Sequence, residues 1–315
     1  MKAGIVMDPL ESINLKKDST LMMILELQSR GHEVHFIDHK SLVISPNKTS
    51  AFSNKLTVNL NEKKPFFLSE MEEQKLKNFD VLLMRQDPPF DIDYIYNTYI
   101  LDAAEKEGVL IVNKPSSLRN CNEKVFATLF PQCCTPFLVT SNILSLKNFI
   151  SEHGDIVVKP LDGMGGSSIY RLQENDPNIS VILEELTQFS RRKIIAQTYI
   201  PSILEGDKRI LLVNGNPMDA AIARIPAKGE LRGNLAAGGK AVAKSLSDRD
   251  RWICSEVAPK LKELGLVFVG IDIIGDYLTE INVTSPTCIQ EYKNLCNIDV
   301  AKILVDYIEK KINYD

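Results

Sequence analysis

Short hydrophobic runs alternate with amphipathic stretches over the first 120 residues. The runs are typical of buried β-strands, and the strand candidates are residues 3–7, 33–37, 81–84 and 110–112. Helical spacing predicts one helix from Asp18 or Ser19, as the N-cap, to Gly31 and another over residues 92–106. Residues 40–75 are more polar and are expected to form a β-excursion at the sheet edge. This alternation favours a parallel sheet covered by helices, an α/β arrangement.

The pattern changes after Asn113-Lys114-Pro115, where the alternation breaks. Ser247 is expected to cap a helix that ends near Gly265, with Asp250 as its capping-box partner and Pro259 as a site of kinking or splitting. The other elements expected here are strands at 155–160, 169–172, 193–199, 209–213 and 220–225 and helices at 179–187 and 300–312. The chain is predicted to divide into domains 1–120, 121–200 and 201–315, and the later two to be of the α+β type.

Residues 267–284 form two apolar, β-rich segments around a Gly-Asp turn, which predicts a hairpin. Asp272, Glu280 and Asn282 interrupt it with polar oxygens, which need a ligand or a partner in an otherwise buried strand. A three-residue or bulged loop at 275–277 places Asp272 opposite Glu280, whereas a two-residue turn would put these acids on opposite faces. The three oxygens then suit a hard cation such as Mg²⁺, completed by a nucleotide phosphate. The alternative is a solvated hairpin with incidental acids.

Composition and charge limit the classes of function. The chain has 315 residues, of which 44% are hydrophobic and 25% charged, as in an ordinary globular protein of two or three domains. A net charge of −4 without a long basic tract argues against a nucleic-acid partner, and no apolar run approaches the ~18 residues of a membrane span. The six cysteines include no Cys-x-x-Cys pair and are expected to be reduced thiols of a cytoplasmic protein.

A glycine-rich segment joins two predicted strands and is a candidate phosphate-binding loop: Asp162-Gly163-Met164-Gly165-Gly166-Ser167-Ser168. Its glycines allow close backbone approach, so that successive N–H groups can hold phosphate oxygens. Lys159, at the end of the preceding strand, is placed to add a positive charge, and Lys124 is a less distinctive candidate. A plain hairpin turn and a surface lysine are the alternatives.

Other polar residues also follow predicted strands. Gln197-Thr198-Tyr199-Ile200-Pro201 could present backbone groups to an adenine edge, or simply end a strand at a proline. Arg85 opens a segment at the carboxyl end of a strand, where open α/β sheets bind ligands, although a proline-rigidified turn is equally consistent. The long loop of residues 226–240, which includes Arg232, is typical of a glycine-hinged lid that closes on an anion.

Single charges and histidines say less. Arg209 and Arg224 could make bidentate contacts with a carboxylate or phosphate, but each taken alone is more typical of a solvated charge. His32, His35 and His39 lie close together without metal-binding spacing and are expected to be structural. The spacing of the residues suggests neither a Ser-His-Asp nor a Cys-His arrangement, so that a protein nucleophile is not expected.

Six stretches, taken together, resemble the ATP-grasp superfamily and, more closely, the bacterial glutathione synthetases. They are Gly4-Ile5-Val6-Met7-Asp8-Pro9, Leu83-Met84-Arg85-Gln86-Asp87-Pro88-Pro89-Phe90-Asp91, Ile111-Val112-Asn113-Lys114-Pro115, Lys159-Pro160-Leu161-Asp162-Gly163-Met164-Gly165-Gly166, Arg232-Gly233-Asn234-Leu235-Ala236-Ala237-Gly238-Gly239 and Glu280-Ile281-Asn282-Val283-Thr284-Ser285-Pro286-Thr287. They span nearly the whole chain in the family's order. Lys240 departs from the pattern, because an arginine is usual there.

The resemblance implies an ATP-grasp fold with an N-terminal open parallel-sheet domain for substrate, a central lid domain and a C-terminal catalytic domain. It implies roles for residues in four groups: ATP binding by Lys124, Lys159, Gly163, Met164, Gly165, Gly166, Gln197, Tyr199, Ile200 and Asp207; Mg²⁺ or Mn²⁺ binding by Asp272, Glu280 and Asn282; catalysis by Arg209, Arg224 and Arg232; and substrate binding by Arg85, Ser285, Pro286 and Thr287. The family is also commonly tetrameric.

The activity implied by the resemblance is ligation of γ-glutamylcysteine to glycine, driven by ATP through an acyl phosphate, to give glutathione, ADP and phosphate. The expected partners are these small molecules, without a nucleic acid or a membrane. One alternative is another carboxylate–amine ligase of the superfamily, such as a D-alanine–D-alanine or glutamate-adding ligase, against which the segment around Arg85 argues. The other is an ATP-binding regulatory module without catalysis, against which the intact set of Asp272, Glu280 and Asn282 argues.

Overall fold

The N-terminal third folds as predicted, with buried apolar strands separated by capped helices. A computed structural model describes residues 1–46, 48–163, 165–230, 232–233 and 238–314. The elements of this part are β1 (Lys2–Met7), α1 (Ser19–Ser29), β2 (Glu33–Ser45), β3 (Lys48–Val58), β4 (Phe66–Leu68), β5 (Glu72–Lys75), β6 (Val81–Met84), α2 (Ile92–Lys106) and β7 (Leu110–Val112). Asp18 caps α1 by accepting from the N–H of Leu21, and Asp91 caps α2 by accepting from that of Tyr94.

The strands of this part form the first sheet, in the order β4-β3-β2-β1-β6-β7, with β5 also paired to β3. Strands β2, β1, β6 and β7 are parallel, as the helical connections between apolar runs predict. The expected β-excursion at the edge is confirmed, because β3, β4 and β5 add antiparallel pairs there.

The second sheet is antiparallel and carries the glycine-rich segment. Its order is β10-β9-β11-β8. The elements are α3 (Pro115–Asn120), α4 (Glu123–Ala127), β8 (Phe137–Thr140), α5 (Ile143–His153), β9 (Asp155–Pro160), β10 (Tyr170–Gln173), α6 (Ile179–Thr187) and β11 (Ile194–Thr198). Neither β8 nor α5 was predicted, since β8 is half-buried at every position and shows no alternation of apolar and polar residues.

The third sheet is also antiparallel, in the order β15-β14-β12-β16-β17, with β13 paired to β12. Its elements are β12 (Asp207–Val213), β13 (Asn216–Pro217), β14 (Ala220–Ile225), β15 (Lys240–Ser245), α7 (Asp248–Glu263), β16 (Phe268–Ile274), β17 (Tyr277–Asn282), α8 (Ile289–Cys296) and α9 (Val300–Tyr314). The capping box of Ser247 and Asp250 is confirmed at the start of α7. Of the predicted kink or split at Pro259, the split is wrong, because α7 runs through this residue and buried Val257 and Leu261 hold the helix to the core on both sides of it.

The hairpin of β16 and β17 brings the predicted acids face to face. Ile274 pairs with Tyr277 across a two-residue turn, and the register then shifts so that Asp272 lies opposite Glu280. The predicted pairing and bulge are confirmed, whereas the three-residue loop is wrong. Gly275, with φ of +56°, closes the tighter turn, and the extra residue lies inside the strand at the register shift.

The hydrophobic core unites the first and third sheets. One cluster of buried residues contains Ile5 and Leu83 from the first sheet together with Leu211 of β12 and Leu304 of α9. The second sheet has a cluster of its own, formed by Leu146, Phe149, Ile150, Ile156, Val158, Leu172, Leu183, Leu186, Ile194 and Ala196. The first and third sheets therefore form one body, and the second sheet forms a smaller unit with its own core. The large clefts lie between this body and the smaller unit.

The histidines and cysteines have structural surroundings. His32, His35 and His39 face different carboxylates, those of Glu309, Glu33 and Asp8. All six cysteines are free thiols, as expected, and five of them are buried. Among the described helices, none combines the length and the apolar character needed to cross a membrane.

Candidate active site

Two large clefts meet beside the hairpin of β16 and β17. Counted together with the open solvent at its mouth, the first holds about 950 Å³ of empty space and the second about 900 Å³. Residues from three parts of the chain line both clefts, namely Lys124, Gly163, Gly165, Asp272 and Glu280. A molecule in the first cleft can therefore touch one in the second at this shared wall.

The predicted site residues that the structure describes fall into these two clefts with one exception, Arg85. The first cleft is lined by Lys124, Lys159, Gly163, Gly165, Gly166, Gln197, Tyr199, Ile200, Asp207, Arg232, Asp272 and Glu280. The second is lined by Arg209, Arg224, Asp272, Glu280, Asn282, Ser285, Pro286 and Thr287, besides residues shared with the first. Met164 lies outside the described residues.

Two buried lysines converge on one carboxylate. Lys124, from α4, and Lys159, from β9, have their Nζ atoms 3.5 and 3.9 Å from Oε1 of Glu280. Lys124 also donates to the carbonyl oxygen of Gly163 at 2.6 Å. Burial lowers the pKa of Lys159, and the charge of Glu280 opposes that shift. Because the two ammonium groups share one carboxylate, the cluster of Lys124, Lys159 and Glu280 carries one positive charge in excess. Such a cluster suits an anion such as a phosphate.

The glycine-rich segment brings bare backbone to the same wall. Gly165 and Gly166 have φ of +63° and +82°, which side chains rarely allow. A Cβ on Gly163 would lie 2.6 Å from Cγ of Pro160, so that only glycine fits. Asn122 ties the stem of the segment to α4 by donating to the carbonyl oxygen of Leu161 at 3.0 Å. The described glycines thus leave the backbone open to close approach, which a phosphate-binding loop requires.

An ion-pair network forms the floor between the clefts. Oδ1 of Asp272 accepts from Nε of Arg209 at 2.5 Å and its Oδ2 accepts from Nη2 of Arg209 at 2.9 Å, while Nη2 of Arg224 also lies 2.9 Å from Oδ2. Burial opposes the charge of Asp272, but the two guanidinium groups outweigh it and hold its pKa well below the usual range. Burial raises the pKa of Asp207, whose Oδ2 pairs with Arg224 at 2.5 Å.

Three buried polar atoms near this network lack a partner in the described structure. They are Oδ1 of Asp207, Nε of Arg224 and Oγ of Ser285. Asp207 lines the first cleft, whereas Arg224 and Ser285 line the second. Buried polar atoms without partners are costly, so each of them indicates a place where a bound molecule supplies the missing hydrogen bond.

The predicted metal ligands fit a hard cation in part. Asn282 uses both amide hydrogens, on Oδ2 of Asp272 at 3.1 Å and on the carbonyl oxygen of Gly270 at 3.2 Å, so that only its Oδ1 can bind a cation. Glu280 offers a carboxylate on the same face of β17. Asp272, by contrast, is engaged by Arg209 and Arg224. Glu280 and Asn282 are therefore the residues best placed to hold Mg²⁺, and no group of three or more His, Cys, Asp or Glu side chains forms a cage in the described ranges.

Arg85 and Arg232 are placed differently from the other predicted residues. Arg85 is buried and donates to Oγ1 of Thr20 and to the carbonyl oxygen of Pro286, both at 3.0 Å. It does not line either large cleft and instead supports the wall that Pro286 forms. Arg232 lines the first cleft, is partly exposed and pairs with Glu230 at 2.6 Å.

Some residues of the clefts were not predicted from the sequence. Arg171 lies 3.8 Å from the ring of Tyr199 and is held by Asp155, so that it forms one side of the first cleft. Nothing in the sequence distinguishes it from a surface charge on a strand. Glu123 also lines the second cleft. The one sequence feature that could have indicated it is its position between Asn122, the N-cap of α4, and Lys124.

Comparisons with known proteins identify the family of the chain. Residues 1–119 match the model of the prokaryotic glutathione synthetase N-terminal domain, and residues 123–297 match that of the prokaryotic glutathione synthetase ATP-grasp domain. A glutathione synthetase of Pseudomonas putida is 52% identical over 312 residues, which cover 99% of this chain and 98% of the relative. One of Vibrio parahaemolyticus is 52% identical over 314 residues, which cover 99% of both.

Solved structures share the fold at low identity. D-cycloserine synthetase DcsG superposes with a TM-score of 0.71 at 13% identity, covering 99% of this chain and 100% of that one. The ATP-grasp ligase PsnB, complexed with a minimal precursor, Mg and ADP, gives a TM-score of 0.63 at 17% identity, covering 99% and 98%. The domain models, the full-length relatives and the shared fold agree, and the chain belongs to the prokaryotic glutathione synthetase family of ATP-grasp ligases.

Proposed function

We propose that the protein joins γ-glutamylcysteine to glycine at the expense of ATP, giving glutathione, ADP and phosphate. The observation that carries the proposal is the meeting of two clefts at a wall that contains Glu280, which two buried lysines face: Lys124, which lines both clefts, and Lys159, which lines the first. One cleft can hold a nucleotide and the other an acid and an amine, with the phosphate to be transferred between them. The substrates follow from relatives named glutathione synthetase that match over almost the full length.

The first cleft is proposed to bind ATP. Its backbone cradle and the lysines face the phosphates, where positive charge and N–H groups stabilise the transferring group. Gln197, Tyr199 and Ile200 lie at the end of β11, where exposed backbone groups suit an adenine edge. Asp207, with its unpartnered Oδ1, is placed to accept a ribose hydroxyl.

The divalent cation is proposed to lie between the clefts. Glu280 and Asn282 would hold Mg²⁺ or Mn²⁺, with Asp272 beside them, and the bound ion would supply neutralisation of phosphate charge. The chain's own residues hold the surrounding charges in place: Arg209 and Arg224 keep Asp272 ionised, and Lys124 and Lys159 lie beside the carboxylate of Glu280.

The second cleft is proposed to bind the dipeptide and glycine. The cysteinyl carboxylate attacks the γ-phosphorus, the bond to ADP breaks, and an acyl phosphate forms. The glycine amine then attacks the acyl carbon, phosphate leaves, and the ammonium proton is released. Arg209, Arg224, Ser285, Pro286 and Thr287 line the cleft, and the arginines and Ser285 offer donors for carboxylate oxygens. This mechanism needs no protein nucleophile, because ATP activates the acid.

The domain division, assembly and location are proposed on the same basis. The first sheet would belong to the substrate domain, the second to the lid and the third to the catalytic domain, with boundaries near residues 120 and 200. Arg232, which lines the first cleft, would help to exclude water from the acyl phosphate. Residues 231 and 234–237 of the predicted lid loop lie outside the described residues. We propose a homotetramer in the cytoplasm, and the six free thiols fit a reducing compartment.

The test is ADP release by the purified protein with Mg-ATP, γ-glutamylcysteine and glycine, omitting each component in turn. Release that needs both amino-acid substrates, with glutathione detected by mass spectrometry, supports the proposal. ADP release that continues without either substrate, or with other acid–amine pairs only, would contradict the substrate assignment. If the purified protein bound no ATP in an equilibrium titration, the assignment of the first cleft to the nucleotide would be contradicted.

A further inference from the structure

Glu123 makes an unusual connection between two distant parts of the chain. Its Oε1 accepts from the N–H of Val283 at 3.1 Å, from the N–H of Thr284 at 3.2 Å and from Oγ1 of Thr284 at 2.8 Å. Val283 and Thr284 are buried, and Glu123 lines the second cleft. A carboxylate oxygen that accepts from three donors fixes the backbone more firmly than a neutral oxygen would, because hydrogen bonds to a charged acceptor are about twice as strong.

The residues beside Glu123 reach the other way. Asn122 caps α4 by accepting from the N–H groups of Lys124 and Val125, and it donates to the carbonyl oxygen of Leu161. Lys124 donates to the carbonyl oxygen of Gly163. The first turn of α4 is thus bonded to the glycine-rich segment on one side and to the end of β17 on the other.

The segment held by Glu123 joins two parts of the site. Asn282, immediately before Val283, is a candidate cation ligand, and Ser285 to Thr287, immediately after Thr284, line the second cleft. A shift of Val283 and Thr284 would therefore move the candidate cation ligand Asn282 and the wall of the second cleft together. Nothing else among the described side chains bonds to the N–H groups of both residues.

We propose that Glu123 is a positioning residue: it sets the wall of the second cleft relative to Lys124, so that a nucleotide in the first cleft orders the binding site for dipeptide and glycine. The inference rests on the proposed function of the two clefts. Glu123 itself touches neither the nucleotide nor the reacting atoms in this role. Its effect should therefore appear in the affinity for the acid and the amine and in the coupling between clefts, rather than in nucleotide affinity.

The kinetic test compares three variants. Thr284→Val removes the hydroxyl donor but keeps the shape, Thr284→Ser keeps the donor, and Glu123→Gln removes the charge. We expect Thr284→Val and Glu123→Gln to raise the KM for dipeptide and glycine about tenfold, the loss of one charge-assisted hydrogen bond, with the KM for ATP changed less than about twofold. Thr284→Ser should restore the wild-type KM. Equal changes in all three KM values, or none in any, would overturn the proposal.

A second measurement does not depend on turnover. Hydrogen–deuterium exchange of the peptide covering residues 280–288 is followed with and without the non-hydrolysable analogue AMP-PNP. Wild-type protein should gain protection there when the analogue binds, and Glu123→Gln should lose most of that gain while still protecting the glycine-rich segment. An undiminished gain in the variant overturns the positioning role. If wild-type protein forms no glutathione, the proposed function fails, and the exchange result still decides the role of Glu123.

Discussion

Asn113 and Phe268 share two hydrogen bonds, in which one side chain pairs with the backbone of the other residue. Oδ1 of Asn113 accepts from the N–H of Phe268 at 2.8 Å, and its Nδ2 donates to the carbonyl oxygen of Phe268 at 2.7 Å. The same Nδ2 donates to the carbonyl oxygen of Val283 at 2.8 Å. Asn113 is buried, follows β7 and so fastens the first sheet to both strands of the hairpin that carries Asp272 and Glu280.

The first prediction concerns this junction. Asn113→Ala leaves three buried backbone groups without partners, and we expect it to lower the free energy of unfolding by about 3 kcal/mol or more, at about 1 kcal/mol or more for each group. Urea denaturation followed by circular dichroism measures the loss. Asn61→Ala, at an exposed position, is the control and should change the free energy by less than about 0.5 kcal/mol. A similar midpoint for both variants would show that the junction contributes little.

Gly270 is predicted to keep Arg209 in place. A Cβ at Gly270 would lie 2.9 Å from Cδ and 3.2 Å from Nε of Arg209, so that Gly270→Ala displaces the guanidinium group from Asp272. We expect kcat to fall roughly 100-fold, because misplacement of a site group by about 1 Å has that effect. Gly31→Ala, where a Cβ meets nothing within 4 Å, should cost only stability at its φ of +77°. Steady-state assays of both variants decide, and unchanged kcat in Gly270→Ala would refute the prediction.

Glu280 is predicted to be essential for turnover without being essential for the fold. Glu280→Gln removes the carboxylate shared by Lys124 and Lys159 and one candidate cation ligand, so we expect kcat to fall roughly 100-fold or more. The Mg²⁺ concentration for half-maximal activity should rise as well. Glu263→Gln, on an exposed acid paired with Lys260, is the matched control. Full activity in Glu280→Gln would remove this residue from the cation site.

Thiol reactivity provides a test of burial. Burial raises the pKa of Cys121 to about 11 and that of Cys134 and Cys254 to about 12. Alkylation requires the thiolate, so these residues should react with iodoacetamide at pH 8 only after unfolding. Cys296, at the end of α8 and half-buried, should be labelled first in the native protein. Mass spectrometry after timed labelling identifies the sites, and early labelling of Cys254 would contradict the packing of α7.

The pair of Asp155 and Arg171 should make stability depend on acid pH. The hydrogen bond from Arg171 lowers the pKa of Asp155 from its ordinary 3.8. A lowered carboxyl pKa contributes stability above the unfolded value, and this is lost as the pH falls through the lower, folded value. The stability of Asp155→Asn should therefore fall less than that of wild type between pH 5 and pH 3 in urea denaturation. Arg171→Gln should reproduce the effect, and parallel curves for all three proteins would exclude it.

The sequence was sufficient where the signals are local. Residues 92–106 form α2 as predicted, and Ser247 with Asp250 marks the start of α7, because capping groups and helical spacing lie within a few residues of each other. The facing pair of Asp272 and Glu280 also followed from the alternation of strand faces.

Long-range contacts could not be derived in this way. The bond of Glu123 to Thr284, and the support of Pro286 by Arg85, join residues far apart in the sequence, so that no spacing predicts them. The engagement of Asp272 by Arg209 and Arg224 depends on neighbouring strands β12 and β14, which local patterns do not place side by side. The fold class could therefore be predicted, whereas the charge network of the site required the structure.

The shared core of the first and third sheets has a consequence for the order in which the protein is synthesised. The strand β7 ends at Val112, but α9, which packs against α1 and β12, begins only at Val300. Until Leu304 and Ile308 emerge from the ribosome, Leu27 and its neighbours on α1 have no such cover. A nascent chain that stops before α9 therefore exposes apolar surface near its own beginning, and chaperones that bind such surface should recognise it until the last helix is made.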